Sequence, residues 1–186
     1  MNLQPLFETQ KKLDKRIIKE KGLEGVDLLD KKILALQVEL GELANEWRGF
    51  KFWSEDREPR YNTVEIYVHG YDGPGTNTRA SIEEYQAQPI LEEYVDCLHF
   101  ILSIGNECQF DGDFYYTSHK DSVLEQFNYL FNKIGDFYLY RTTGNYTSVF
   151  NYFLALGDFL GFTWEQIEQA YYDKNKVNHE RQANGY

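Results

Sequence analysis

Apolar residues return at helical spacing along most of the chain, and that periodicity leaves few folds open. Leu3, Leu6, Phe7, Leu13, Ile17 and Ile18 recur near the helical period over 3–21, and Gly22 stops the run. Asp27 reads as the N-cap of a second helix, whose stripe is Ile33, Leu36, Leu40, Leu43 and Trp47, with Gly49 near its end. Periodicity returns after Ser81, read as another N-cap, in a segment that Pro89 kinks or restarts. Its apolar face is Ile90, Leu91, Tyr94, Val95, Leu98, Ile101 and Leu102. Asp111 to Ser118 is a turn region, and 120–140, 146–160 and 163–178 read as three more helices. Thr163, with Gln166 three residues on, forms a capping box for the last of them.

Residues 54 to 80 break the pattern. Pro59, Gly70, Gly73, Pro74 and Gly75 punctuate them, and Val64, Ile66 and Val68 alternate with Glu65, Tyr67 and His69. Alternation of that kind predicts a short strand or hairpin. The expected architecture is therefore an all-α helical bundle, one domain over 1–186, with a small β-like insertion at about 56–80. The glycine-rich stretch Gly70 to Thr78 lacks a following Gly-Lys-Ser/Thr and is not a phosphate-binding P-loop; a surface lid, dimer arm or partner-binding hairpin fits it better.

Charge narrows the function. The formal net charge is −11, which repels the backbone of nucleic acid, so phosphate binding needs a local cation and a few basic side chains. Cys97 and Cys108 form no CxxC and read as free, buried thiols of a reducing compartment. Charges from Lys11 onward interrupt any signal-peptide core, and there is no apolar run of membrane-spanning length. The expectation is a cytoplasmic protein with no membrane and no nucleic-acid partner.

Two pairs of acids carry the chemistry. Glu39 and Glu42 are spaced i, i+3 on the second helix, and Glu93 and Asp96 have the same spacing on the third. Packed side by side, two such helices bring four carboxylates to one point, a hard-oxygen set suited to Mg²⁺. Such a spacing is more often a solvated helix face. At 100° per residue, Glu39 and Glu42 lie roughly 80–140° from the centre of their stripe, and Glu93 and Asp96 roughly 140–160° from theirs. Cys97, Phe100 and Ser103 interrupt the second polar face, so it is not a simple solvated surface.

The ExxE and ExxD pairs resemble those of the all-α NTP pyrophosphohydrolase superfamily, which includes MazG-like proteins and the dimeric dUTPases. Three further stretches resemble the dimeric dUTPases: Glu92 to His99 followed by Phe100; Gln10 with Leu13 and Asp14; and Lys174, Asn178 and Arg181 in a tail that ends Gly185-Tyr186. The resemblance covers the chain from about residue 7 to its end. It implies a bundle of that superfamily's type and hydrolysis of dUTP to dUMP and pyrophosphate, which lowers dUTP and supplies dUMP for thymidylate synthesis. It implies that Glu39, Glu42, Glu93 and Asp96 hold Mg²⁺, with Glu39 also orienting the attacking water. Lys174, Asn178 and Arg181 would clamp the triphosphate, Gln10 and His99 would help read uracil, and Phe100 would pack on the deoxyribose. Lys51 and Trp53 resemble a family segment near the substrate, and a homodimer is implied.

Several readings stay open beside this. His99 also fits a hydrogen-bonded helix histidine, Phe100 the core, Trp53 plain packing, and Lys174 and Arg181 ordinary surface charges. Glu46, one turn beyond Glu42, is either a supporting carboxylate or surface. Asp14 stands where many relatives carry Asn, and an acid is a poor partner for uracil. Roughly 50 residues separate the two acidic pairs, a longer gap than compact relatives have. dCTP or another nucleotide as substrate, cleavage of dUDP, a non-catalytic nucleotide-binding module, and a plain helical bundle with an acidic face are the alternatives.

Overall fold

The computed structural model describes residues 2–59, 62–69, 80–110 and 120–185. Six helices make up the described chain: α1 (Gln4–Glu20), α2 (Leu29–Trp47), α3 (Pro89–Glu107), α4 (Val123–Leu139), α5 (Thr143–Phe159) and α6 (Trp164–Ala183). Between α2 and α3 lie β1 (Asn62–His69) and β2 (Ala80–Ala87), paired antiparallel with Asn62 opposite Ala87 and His69 opposite Ala80. The expected turn at Asp111–Ser118 and the glycine-rich stretch Gly70–Thr78 lie outside the described residues.

The helix ends follow local chemistry. Thr163 accepts from the Gln166 backbone N–H at 3.2 Å, and the Gln166 side chain accepts from the Thr163 N–H at 2.9 Å, so the capping box forms. Ser122 and Thr142 cap α4 and α5 by accepting from Glu125 and Asn145, each contact worth about 1 kcal/mol. Gly22, at φ +64°, supplies the left-handed residue just past α1. Two expected starts differ. The cap position of α2 is Leu28, and Asp27 instead accepts from the Leu29 N–H at 3.0 Å. Ser81 is not an N-cap: it lies in β2 opposite Val68, and α3 restarts at Pro89, whose missing N–H costs nothing in a first turn.

Helix α3 is the centre of the bundle and packs against α1, α2, α5 and α6. Its residues 94, 95, 97–99 and 101–105 are all buried, so almost every side of its middle faces another helix. Tyr94 stacks on Phe153 with ring centroids 4.2 Å apart, and its hydroxyl donates to the Phe153 carbonyl at 3.2 Å. Tyr146 donates to the Ile101 carbonyl at 2.8 Å, close above Gly105. Each such aromatic satisfies its polar tip while burying its ring. The buried leucines Leu6, Leu40, Leu43, Leu98 and Leu102 contribute roughly 1.5–3 kcal/mol apiece by removal from water. Cys97 is buried as expected, whereas Cys108 is exposed because α3 has already ended at Glu107. Both cysteines are free. No helix among the described residues is long and apolar enough to cross a membrane.

Candidate active site

Packing of α2 against α3 brings acids from both helices together. Glu39 and Glu42 of α2 and Glu93 of α3 each offer a carboxylate oxygen, all within 4.8 Å of one another. Asp96, one turn beyond Glu93, takes a different partner: its Oδ2 accepts from Lys174 Nζ of α6 at 2.5 Å. Glu46 is half-buried one turn beyond Glu42 and is not in the converging group among the described residues.

Electrostatics mark the group as short of positive charge. Burial, then repulsion from Asp96, Glu42 and Glu39, pushes the Glu93 carboxyl up to about 7. Burial and the charges of Asp96 and Glu42 likewise raise Glu39. Lys174 opposes both shifts without cancelling them. Several carboxylates held close enough to repel, with a lysine ammonium already seated on a fourth, fit a divalent cation with a preference for hard oxygen ligands. Glu39, Glu42, Glu93 and Asp96 are the residues that could hold it.

Glu39 and Asp96 also line a cleft of about 400 Å³, the size range of small-ligand pockets. Along its wall stand Gln10, Asp14, His99, Phe100 and Ser103, with Asn178 and Arg181 contributed by α6. The tail residues Lys174, Asn178 and Arg181 fall at i, i+4 and i+7, on one face of α6. That face meets α3 and α1, which brings Asn178 and Arg181 to the cleft, while Lys174 does not line it and instead reaches Asp96.

The far wall holds a hydrogen-bond network. The Gln10 amide nitrogen donates to Asp14 Oδ1 at 2.8 Å, and Ser103 Oγ donates to Asp14 Oδ2 at 2.7 Å. Gln10 Oε1 lies 2.7 Å from His99 Nδ1 and accepts from the Tyr171 hydroxyl at 3.1 Å. Tyr171 stacks on His99 with ring centroids 4.3 Å apart. Burial, and next the Lys174 charge, drive His99 down to about 3, with the Tyr171 backbone pulling weakly the other way, so the imidazole is neutral.

The other expected substrate contacts are placed differently. Phe100 is half-buried on the cleft wall. Lys51 and Trp53 sit in the loop after α2 and are not among the residues lining that cleft. Lys51 donates to Asn45 Oδ1 at 2.6 Å, and Trp53 is 66% exposed, edge-on to Phe50 and Phe52. Arg48 anchors this loop by donating to the Asp56 carbonyl at 2.8 Å. Ser103 and Tyr171 were missed from sequence as network members. Ser103 carried a faint signal, a polar residue one turn past His99 in an otherwise apolar helix, whereas Tyr171 carried none.

A family model described as dUTPase matches residues 2–71 and 80–186. No curated protein matches the chain.

Proposed function

Because the chain belongs to the dUTPase family, and so is a dUTP diphosphatase that hydrolyses dUTP to dUMP and pyrophosphate, we propose that the α2–α3 acids hold Mg²⁺ and that the adjoining cleft binds the nucleotide. The observation that carries this reading is the position of Glu39. It belongs both to the converging carboxylates and to the cleft wall, so it stands where the cation and the substrate meet.

Glu39, Glu42, Glu93 and Asp96 are the proposed ligands. When bound, Mg²⁺ supplies positive charge against the phosphate oxygens and the departing pyrophosphate. Glu39 orients the attacking water and takes its proton, since it lines the cleft as well as belonging to the converging carboxylates. Lys174, Asn178 and Arg181 hold the triphosphate, the arginine as a forked donor. Gln10 and His99 read the uracil edge, Phe100 packs on the deoxyribose, and Lys51 and Trp53 approach from the loop after α2. Neutral His99 already meets Gln10 through Nδ1, which leaves Nε2 as the ring nitrogen for the base.

The same reading makes the chain one domain over 1–186 and a cytoplasmic homodimer without a nucleic-acid partner. Exposed Leu34 and Val38 on α2 and Leu124 on α4 support a partner surface, the free cysteines a reducing compartment, and the net charge of −11 the absence of nucleic acid. Light scattering of the active protein tests the dimer: a fully active monomer contradicts it.

Pyrophosphate release from dUTP, dTTP, dCTP, dATP, dGTP and UTP, with Mg²⁺ and with EDTA, tests the site, and phosphate release from dUDP is read alongside. Release from dUTP that needs Mg²⁺ is the expected result. Equal release in EDTA overturns the metal assignment, and preference for dCTP overturns the assignment of Gln10 and His99 to uracil.

A further inference from the structure

We infer that Arg16 of α1 and His179 of α6 form a clasp that seats the end of the tail helix for phosphate binding, with Arg16 a positioning residue that does not itself touch substrate. The inference rests on the proposal that Asn178 and Arg181 hold the triphosphate.

The end of α6 has little apolar packing to hold it. The buried residues of the helix are Ile167, Tyr171 and Asn175, and none after Asn175 is buried. From 176 to 183 there is one large apolar side chain, Val177, and it is 40% exposed. The inner edge of this stretch is polar instead, with Asn178 and Gln182 on the cleft wall. Gln182 Oε1 is buried with no hydrogen-bond partner among the described residues. Packing of an apolar face is what normally seats a helix, and a segment without one opens at low cost. Yet this segment carries both Asn178 and Arg181.

Arg16 supplies the tie. Its Nη1 lies 3.1 Å from His179 Nδ1 and 3.1 Å from the His179 carbonyl oxygen. A guanidinium donates and never accepts, so both contacts are donations from Arg16. Nδ1 must then be the acceptor of the ring, and the ring proton sits on Nε2. On its other side Arg16 Nε donates to Glu20 Oε1 at 2.8 Å, one turn further along α1. That contact fixes the roll of the planar guanidinium and aims Nη1 at α6. The base of the clasp is firm, because Leu6 and Leu13 seat α1 in the core.

The point of attachment matters. A bond to the carbonyl of residue 179 holds the helix backbone itself, between Asn178 and Arg181, and so sets the position of both together. Arg16 does not line the cleft, so it reaches the substrate only through α6. Groups that hold a substrate must be placed to well within an ångström, and a small displacement caused from outside the site is enough to lose most of their effect.

The test is Arg16→Met, which keeps an unbranched stem and removes every donor. The side chain is 33% exposed, so the fold should survive the exchange. The kcat/KM for dUTP should fall by roughly tenfold to a hundredfold, mostly through KM, while inhibition by deoxyuridine, which carries no phosphate, stays the same. Amide hydrogen exchange should quicken over 176–183 and not over 164–171. In a protein already carrying Asn178→Ala and Arg181→Ala, Arg16→Met should raise KM no further. In the unsubstituted protein, ¹⁵N NMR should find the His179 proton on Nε2. An unchanged KM or unchanged exchange over 176–183 in Arg16→Met, or a proton on Nδ1 of His179 alone, overturns the inference. A further loss in the Asn178→Ala, Arg181→Ala background overturns it too, since Arg16 would then meet the phosphates directly. If that background itself leaves KM unaltered, the phosphate-holding proposal falls and the inference with it, whereas an effect there with none in Arg16→Met overturns the inference alone.

Discussion

Lys174 of α6 places its ammonium 2.5 Å from Asp96 Oδ2 of α3, so the tail helix supplies a positive charge to the acidic centre. The same lysine is proposed to hold phosphate. On that proposal cation and lysine compete for Asp96, and the nucleotide would give the displaced ammonium a new partner. Lys174→Met should bind Mg²⁺ more tightly than the unsubstituted protein when nucleotide is absent, by about threefold to tenfold for one nearby charge at the protein surface, and should raise KM for dUTP. Calorimetric titration of the cation and steady-state kinetics check the two halves. Weaker cation binding in Lys174→Met would contradict the competition.

Glu93 gives a pH signature in the metal-free protein. Its carboxyl is raised from 4.5 to about 7, so between those values the folded chain holds a proton that the unfolded chain releases. The stability linked to that proton is complete below pH 4.5 and is lost as pH rises through about 7. His99 works in the opposite sense: lowered from 6.5 to about 3, it favours the fold above 6.5 and loses that contribution as pH falls. Comparing Glu93→Gln with the unsubstituted protein at each pH cancels the histidine. With EDTA present, the melting temperature of Glu93→Gln should exceed that of the unsubstituted protein at pH 8, and the gap should close toward pH 4.5. A gap independent of pH would contradict the placement of Glu93 among repelling acids.

Gly105 tests the packing that holds α3 in place. A Cβ there would lie 2.2 Å from the Tyr146 hydroxyl oxygen and 2.8 Å from the Phe7 ring. Tyr146 is buried and hydrogen-bonded to Ile101, so it has little room to yield. Gly105→Ala should cost roughly 1–3 kcal/mol, a drop of several degrees in melting temperature for a chain of this size. An unchanged melting temperature would show that Tyr146 and Phe7 repack freely.

The helices were legible because each carries its own apolar stripe and, in α4, α5 and α6, its own side-chain cap. The start of α3 was not. Residues 81–88 have acceptable helical spacing, and pairing across the hairpin, which local periodicity does not encode, puts 80–87 in a strand. Angles on the helical wheel misjudged Glu93 and Asp96. Measured from the Leu98–Leu102 stripe they look solvated, yet α3 is surrounded by four helices and has little solvated surface along its middle. Asp14 shows the limit most clearly. As an isolated acid near the N-terminus it looked unsuited to a base, and only the meeting of α1 and α3 reveals Ser103 and Gln10 as its donors.

The most direct test of the acidic centre is Glu42→Gln. Glu42 is exposed and lies outside the cleft lining, so the exchange removes the charge of one proposed ligand while leaving the core and the cleft wall alone. Pyrophosphate release from dUTP should be measured across a Mg²⁺ titration for both proteins, with circular dichroism on the same samples. Glu42→Gln should show an unchanged helical spectrum, weakened Mg²⁺ binding, and turnover lowered by at least about a hundredfold, as for other supports of transition-state charge. Full turnover by Glu42→Gln at the same Mg²⁺ concentration would contradict it, and the converging carboxylates of α2 and α3 would not be the catalytic centre.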